Sequence, residues 1–199
     1  HSKRPGFATV TNPHTFKLPL HCSERSPMPV NLFLPQAYRP TMSVRAIESA
    51  IKDIKDYFER RLAEALNLQR VTAPLFVRSG TGINDDLNGV ERPVRFCVKE
   101  DGDAAVEIVQ SLAKWKRLAL ARYGFRPGEG LYTDMNAVRP DETLDNTHSI
   151  YVDQWDWEKI IRPEERNLAT LKAAVEAISD AICRTEFHIA SQHSSVRPR

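Results

Sequence analysis

Residues 128–157 read GEGLYTDMNAVRPDETLDNTHSIYVDQWDW, and this stretch decides the fold. After two opening glycines, two runs of strand-forming residues follow, at 131–139 and 148–157. A polar segment, 140–147, separates the two runs, which is typical of a connection between antiparallel strands. The stretch therefore predicts a long antiparallel β-hairpin.

The second strand of this hairpin carries polar side chains next to tryptophans. Because side chains alternate along a strand, Gln154 and Asp156 share one face, while Trp155 and Trp157 share the other. Polar groups that are buried without partners are costly. A ligand site on the face of Gln154 and Asp156 would explain them. A solvent-facing polar face with the tryptophans in the core would also explain them, and the sequence leaves both interpretations open.

Hydrophobic spacing predicts a long helix upstream of the hairpin. Ser43 is the predicted N-cap, apolar residues recur every three or four positions from Ile47 to Leu66, and Asn67 ends the helix. Residues 71–77 then alternate and predict a strand, in which a proline indicates an edge position or a bulge.

Two further elements are predicted between this strand and the hairpin. A turn at 100–103 separates the alternating runs 94–98 and 106–109, which predicts another hairpin. Ser111 is the predicted cap of a helix that runs through Tyr123.

The end of the pattern predicts a last helix. Gly124 is the predicted C′ residue of the preceding helix, and Pro163 is placed at the first position of the last one. The apolar stripe of the last helix runs to Ile182. The predicted fold class is α+β, with an antiparallel sheet flanked by helices.

The sequence also suggests a division of the chain. Residues 1–30 are rich in proline and are predicted to be a disordered extension. Residues 31–183 are predicted to form the folded domain, and 184–199 an unstructured tail. The chain begins at His1 instead of a methionine, which suggests an incomplete or processed chain.

The composition fits a soluble globular protein and argues against several classes of function. Charged residues make up 27% of the chain and the formal net charge is +2, so no basic patch indicates a nucleic-acid partner. No apolar run reaches the ~18 residues of a membrane helix, and the first residues lack the apolar region of a secretory signal, so we expect none. The three cysteines lack zinc-ligand spacing, so we expect reduced thiols, a cytoplasmic location and no metal site made by the protein alone.

Several polar groups have simple structural interpretations. Asp85 and Asp86 are typical of a turn, and Arg139 is typical of a surface ion pair. The cations typical of a solvated helix face are Lys114, Lys116 and Arg117. Taken singly, these residues therefore indicate no function.

Four segments together resemble the ammonia-dependent asparagine synthetases, also called aspartate–ammonia ligases. The segments are TGINDDLNG at 81–89, SLAKWKR at 111–117, GEGLYTDM at 128–135 and YVDQWDWE at 151–158. The resemblance runs from about residue 31 to residue 182 and leaves 1–30 and 184–199 unmatched. That family resembles the catalytic domain of class II aminoacyl-tRNA synthetases, which implies an antiparallel sheet flanked by helices.

The resemblance implies a role in asparagine biosynthesis. The β-carboxylate of L-aspartate would attack the α-phosphate of ATP, giving β-aspartyl-AMP and pyrophosphate, and ammonia would then displace AMP. The resemblance also implies Mg²⁺ on the phosphates and a homodimer in the complete form.

Site residues are carried over by position. Arg139 matches the second signature motif of class II enzymes, so its guanidinium is expected to bind ATP, with Asp141 and Glu142 positioning Arg139 or the nucleotide. The residues expected to act in catalysis are Asp85, Arg139 and Gln154.

The aspartate substrate is assigned to a second group. The segment of Ser111 and Lys116 resembles the element that holds aspartate, with the Lys116 ammonium on a substrate carboxylate. Asp85 is expected to pair with the substrate amino group or with incoming ammonium. Gln154 and Asp156 would complete the amino-acid pocket from the sheet.

The resemblance covers the N-terminal part of the family only. Complete members continue well beyond the last predicted helix, so the chain is expected to have little or no ligase activity alone, an open sheet edge and exposed apolar surface. Three alternatives stay open. They are a non-catalytic binding or regulatory module with the same fold, a relative that acts on tRNA, and a truncated product without function.

Overall fold

The computed structural model describes residues 31–85 and 87–198, which lie in one structural unit. The predicted extension at 1–30 lies outside the described residues. The helices and strands are α1 Val44–Leu66, β1 Leu68–Arg70, β2 Phe76–Arg78, β3 Arg95–Val98, β4 Ala104–Ile108, α2 Ala113–Arg122, β5 Gly130–Val138, β6 Tyr151–Lys159 and α3 Leu168–Gln192. The predicted α+β class is confirmed. None of the described helices is both long and apolar enough to span a membrane.

β5 and β6 form the predicted long hairpin. They pair antiparallel, from Gly130 opposite Lys159 to Val138 opposite Tyr151. β1 joins the other side of β5 in parallel, which gives the first sheet the order β1-β5-β6. The hairpin prediction is confirmed, with β6 beginning and ending slightly later in the chain than expected.

Asp145 explains why β6 starts late. Its Oδ1 accepts the backbone N–H groups of Thr147 (2.7 Å) and His148 (2.8 Å), which holds both residues in the loop. These residues were expected to end the loop and open the strand. The hydrogen bonds from the Thr147 backbone and the His148 side chain hold the pKa of Asp145 well below its usual range.

Both faces of the long hairpin are covered. On one face, Tyr132, Trp155 and Trp157 pack against α1 and α3. On the other face, Met135 and Ala137 are buried against the segment that leads into α2. Gln154 and Asp156 lie on this second face and are partly buried, so the interpretation of a fully solvent-facing polar face is wrong. Its placement of the tryptophans against the core is confirmed.

The second sheet has the order β2-β4-β3 and is antiparallel throughout. The hairpin of β3 and β4 is confirmed, with a 3₁₀ turn at Lys99–Asp101. The predicted strand at 71–77 is confirmed only at 76 and 77, which belong to β2 at the edge of the second sheet, and is wrong for 71–75. Val71 directly follows β1 of the first sheet, and Pro74 lies between it and β2, where its missing N–H cannot continue either ladder.

The first two helices begin differently from each other. Ser43 caps α1 as predicted, because its Oγ accepts the Ala46 N–H at 3.2 Å. Ser111 does not cap α2, which begins after Leu112 without a capping bond from its own N-cap side chain. Gly124, at φ +75°, follows α2 as predicted in the left-handed conformation that glycine adopts without strain.

The last helix starts and ends later than the sequence analysis expected. Pro163–Glu165 forms a separate 3₁₀ turn, and α3 begins after Asn167, whose Oδ1 accepts the Thr170 N–H at 3.0 Å. α3 then continues to Gln192, so the unstructured tail at 184–199 is wrong for 184–192. Its buried stripe continues through Ala181, Thr185 and Ile189, where small and polar residues hide the pattern.

An open strand edge and exposed apolar side chains, both expected from the sequence, are present in the described part of the chain. β6 lies at the edge of its sheet. Leu168, Leu171 and Val175 on α3 are each more than half exposed.

Candidate functional site

Lys116 is the most deeply buried charged residue among those described. Its side chain is 1% exposed and forms an ion pair with Asp156, whose side chain is 29% exposed. The solvated helix face is therefore wrong for Lys116. It holds for Lys114 and Arg117, whose side chains are 53% and 70% exposed.

Asp85 supplies the capping group that α2 lacks. Its Oδ2 accepts the backbone N–H of Lys114 at 3.4 Å, and its Oδ1 lies 3.5 Å from the Lys114 ammonium. Its own N–H donates to the carbonyl of Ser111 at 3.3 Å. A carboxylate at a helix N-terminus is favoured by the free N–H groups and the helix dipole. Asp85 and Ser111 thus meet at the start of α2.

Gln154 lies half-buried on the face that α2 covers. It stands opposite Met135 on β5, and Asp156 stands opposite Thr133, the next position along the same face. Within the described residues, the side-chain amide of Gln154 has no hydrogen-bond partner. An amide that is half-buried and unpaired is available to a ligand.

Arg139 follows β5 directly and continues its ladder, donating its backbone N–H to Ile150 at 2.8 Å. By strand alternation its side chain lies on the same face as Met135 and Ala137. One guanidinium nitrogen lies 3.9 Å from Glu142, and Nε is buried without an acceptor. A buried guanidinium N–H without an acceptor is costly, which favours a ligand there.

Asp141 contacts Arg92 instead of Arg139. The Arg92 backbone N–H donates to Asp141 at 2.8 Å and its Nε donates at 3.0 Å. These hydrogen bonds, with the nearby positive charge, hold the pKa of Asp141 at about 2. Arg139, Asp141, Glu142 and Arg92 line a cleft of about 400 Å³.

The predicted site residues form two groups on one face of the hairpin. Asp85, Ser111, Lys116, Asp156 and Gln154 lie around the start of α2, and Arg139, Asp141 and Glu142 lie beyond the end of β5. No hydrogen bond or ion pair joins Arg139 to the first group among the described residues. Met135, opposite Gln154, is four residues from Arg139, which corresponds to about 14 Å along a strand.

Comparison with known proteins decides the family. A family model described as aspartate-ammonia ligase matches residues 45–199. The chain belongs to the aspartate-ammonia ligase family. The match includes every predicted site residue, and it also includes 184–199, which the sequence analysis had left unmatched.

Curated aspartate–ammonia ligases are similar to this chain at high identity. The protein from Clostridium perfringens is 61% identical over 165 residues, covering 83% of this chain and 49% of the relative. The protein from Clostridium tetani is 60% identical over 170 residues, covering 85% and 48%. The protein from Bacteroides fragilis is 54% identical over 167 residues, covering 84% and 48%. The chain thus spans about half the length of the curated ligases it matches.

A solved pyrrolysyl tRNA synthetase from Desulfitobacterium hafniense is also similar to this chain. It is 16% identical, with a TM-score of 0.45, over 69% of this chain and 51% of that chain.

The carboxylates of this ligase-family chain do not form a metal site on their own. Within the described residues, no group of three or more His, Cys, Asp or Glu side chains is arranged to hold a metal ion. Near the cleft, Asp141 is engaged by Arg92, and Glu142 faces Arg139. The residues present therefore do not fit Mg²⁺ without further ligands.

The sequence analysis assigned no role to three residues at the site, of which only Asn84 lies in a quoted ligase-family segment. Arg92 binds Asp141, while Asn84 and Glu107 form a buried network next to Asp85. The sequence held one signal for the network, because Glu107 interrupts an apolar run, Val106 to Val109, in a predicted strand.

Proposed function

We propose that this chain binds L-aspartate and ATP for an aspartate–ammonia ligase reaction. The observation that carries the proposal is the buried Lys116–Asp156 ion pair beside the unpaired amide of Gln154. A buried cation held by one carboxylate keeps N–H groups for a second anion. An acidic amino acid supplies that anion.

The aspartate substrate would bind at the start of α2. The Lys116 ammonium would bind a substrate carboxylate while Asp156 fixes its position. Gln154 would donate its amide N–H groups to the same substrate. Asp85 would accept the substrate amino group in place of the Lys114 ammonium.

ATP would bind toward Arg139. The guanidinium is suited to phosphate oxygens because it offers parallel N–H donors. The β-carboxylate of aspartate would attack the α-phosphorus, the bond to the pyrophosphate would break, and β-aspartyl-AMP would form. The Arg139 guanidinium would stabilise charge on the α-phosphate during this step.

Ammonia would complete the reaction in a second step. Its nitrogen would attack the β-carbonyl carbon of β-aspartyl-AMP, the bond to AMP would break, and asparagine would form after loss of a proton. Incoming ammonium is the alternative partner for Asp85, because the Asp85 side chain is 17% exposed and already faces a cation.

The remaining parts of the proposal come from the family resemblance. They are Mg²⁺ on the phosphates, with ligands beyond the described residues, a homodimer and a cytoplasmic location. Because the chain spans about half the length of its relatives, we also propose that its 199 residues alone catalyse little turnover.

Equilibrium binding of L-aspartate and of ATP to the 199-residue chain tests the proposal. Lys116→Met is expected to weaken aspartate binding at least about 30-fold, since it removes a buried charge-assisted contact. ATP binding is expected to stay within about twofold. Arg139→Met is expected to weaken ATP binding and to leave aspartate binding nearly unchanged.

Two further variants guard against misinterpretation. Arg117→Met removes an exposed cation from the same helix turn and is expected to leave both affinities unchanged. Gln154→Leu removes the unpaired amide without breaking an ion pair, and it is expected to weaken aspartate binding. If Lys116→Met and Gln154→Leu bind aspartate as the unmodified chain does, the assignment is wrong. Near-normal ATP–pyrophosphate exchange by the chain alone would contradict the expectation of low turnover.

A further inference from the structure

Glu107 is a buried carboxylate outside the two groups described above. Its side chain lies on β4, the central strand of the second sheet, and is 9% exposed. It accepts hydrogen bonds from Ser79 Oγ (2.6 Å), Arg95 Nε (3.0 Å) and Asn84 Nδ2 (3.3 Å). Burial raises the pKa of Glu107, but these donors outweigh burial and bring the pKa below its usual value. A charge this deeply buried is retained only where partners compensate it.

Two of these donors mark the two ends of one loop. Ser79 begins the segment that follows β2, and Asn84 is the residue before Asp85. Between them, Gly80 and Gly82 adopt φ of +75° and +72°, which lets the chain fold back. A single carboxylate therefore fixes the distance between the two ends of the loop.

Asn84 connects this carboxylate to Asp85. Asn84 is 4% exposed, and its Oδ1 accepts the backbone N–H of Gln110 at 2.9 Å. Its Nδ2 also donates to the carbonyl of Ile108 at 3.3 Å. The next residue, Asp85, donates its N–H to Ser111. Asp85 is thus held between the end of β4 and the start of α2.

We propose that Glu107 is a positioning residue that acts through Asn84 to hold the Asp85 carboxylate at the N-terminus of α2. Glu107 touches neither substrate nor nucleotide in this account. Its effect on aspartate binding rests on the proposed function, whereas its effect on the loop does not.

Amide hydrogen exchange in the full chain tests the effect on the loop without any ligand. Glu107→Gln removes the charge that three donors share, so we expect the amides of Gln110 and Asp85 to exchange about tenfold faster. Amides of the β5–β6 ladder are expected to keep their rates. Asp101→Asn is the matched control, because it breaks an exposed ion pair with Arg78 at the edge of the same sheet.

Ser79→Ala is the second variant, since Glu107→Gln could prevent folding. It removes one donor and leaves Asn84 and Arg95 on Glu107, so a smaller acceleration, about threefold, is expected at the same amides. Uniform acceleration across the chain, or none at Gln110 and Asp85, would overturn the proposal.

Ligand affinity separates this proposal from the proposed function. Glu107→Gln is expected to weaken aspartate binding about tenfold while leaving ATP binding unchanged, a selectivity that general destabilisation would not produce. Equal weakening of both ligands would overturn the positioning role. A further outcome is that Glu107→Gln accelerates exchange locally while Asp85→Asn leaves aspartate binding intact. That pair of results would uphold the loop's dependence on Glu107 and reject the role in binding that the proposed function gives to Asp85.

Discussion

The Lys116 side chain extends from α2 toward β6, where its ammonium forms an ion pair with the Asp156 carboxylate. Lys116→Ala leaves that carboxylate without its cation and removes buried packing. We expect the free energy of unfolding to fall by about 3 kcal/mol, the lower end for breaking a buried pair, because Asp156 keeps some contact with solvent. Urea denaturation followed by circular dichroism measures the loss.

Arg117→Ala is the control for this prediction. Arg117 is exposed and lies 3.6 Å from Glu158, so the free energy of unfolding is expected to change by less than about 1 kcal/mol. Equal losses for the two variants would mean that the burial of Lys116 contributes nothing particular to stability.

The pair of Arg92 and Asp141 predicts a dependence on pH. The pKa of Asp141 in the folded chain, about 2, is below its ordinary value of 3.8. The ion pair therefore contributes its full stabilisation of the fold at pH values above 3.8. Its contribution is lost as the pH falls toward 2. We expect Arg92→Met to raise the pKa of Asp141 toward 3.8, measured from the carboxyl carbon chemical shift. An unchanged pKa would show that Arg92 does not hold this carboxylate in solution.

At single residues, the sequence indicated which side chains carry charge but not how deeply each one is buried. Lys114, Lys116 and Arg117 are neighbouring cations on one helix, and only the packing of α2 over β6 distinguishes the buried one. The helix-capping contact of Asp85 was also beyond prediction, because it joins residues far apart in sequence.

At the scale of elements, the end of α3 gives a direct test in the region 184–192, where the sequence predicts an unstructured tail. Ile189 is 4% exposed near the end of the helix. Ile189→Ala is expected to lower the free energy of unfolding by about 2–4 kcal/mol, because it removes buried methyl groups and leaves a cavity. Thermal unfolding of the variant measures this loss.

Phe187→Ala provides the comparison on the same turn of α3. Phe187 is 61% exposed, so Phe187→Ala is expected to lower the free energy of unfolding by less than about 1 kcal/mol. If Ile189→Ala is as mild as Phe187→Ala, the end of α3 does not pack as described.

The accuracy of the element predictions follows from the clarity of each pattern. The β5–β6 hairpin was predictable because opening glycines and a polar connection mark out two long runs of strand-forming residues, which pair over nine positions. The strand at 71–77 was misjudged because two three-residue strands of different sheets stand either side of a proline. α3 was cut short because Ala181 and Thr185, which continue its buried face, are not large apolar residues.

At the scale of the whole molecule, the site depends on how separate layers meet. α1 and α3 cover one face of the hairpin, and α2 with the second sheet covers the other. This arrangement pairs Asp85 with Lys114 at the start of α2, and Lys116 with Asp156 between α2 and β6. Sequence motifs identified these residues, but long-range packing decides which of them touch.

Binding of a non-hydrolysable β-aspartyl-AMP analogue, followed by NMR on the whole chain, tests this arrangement most directly. The analogue joins both substrates, so its aspartyl end should shift side-chain signals of Lys116 and Gln154 while its nucleotide end shifts Arg139 Nε. We expect all three signals to change together and to saturate at one analogue per chain. A separate apolar groove is lined by Trp157 on β6 and Leu171 on α3. Changes confined to that groove, or no change at Lys116, Gln154 and Arg139 at saturating analogue, would contradict this arrangement.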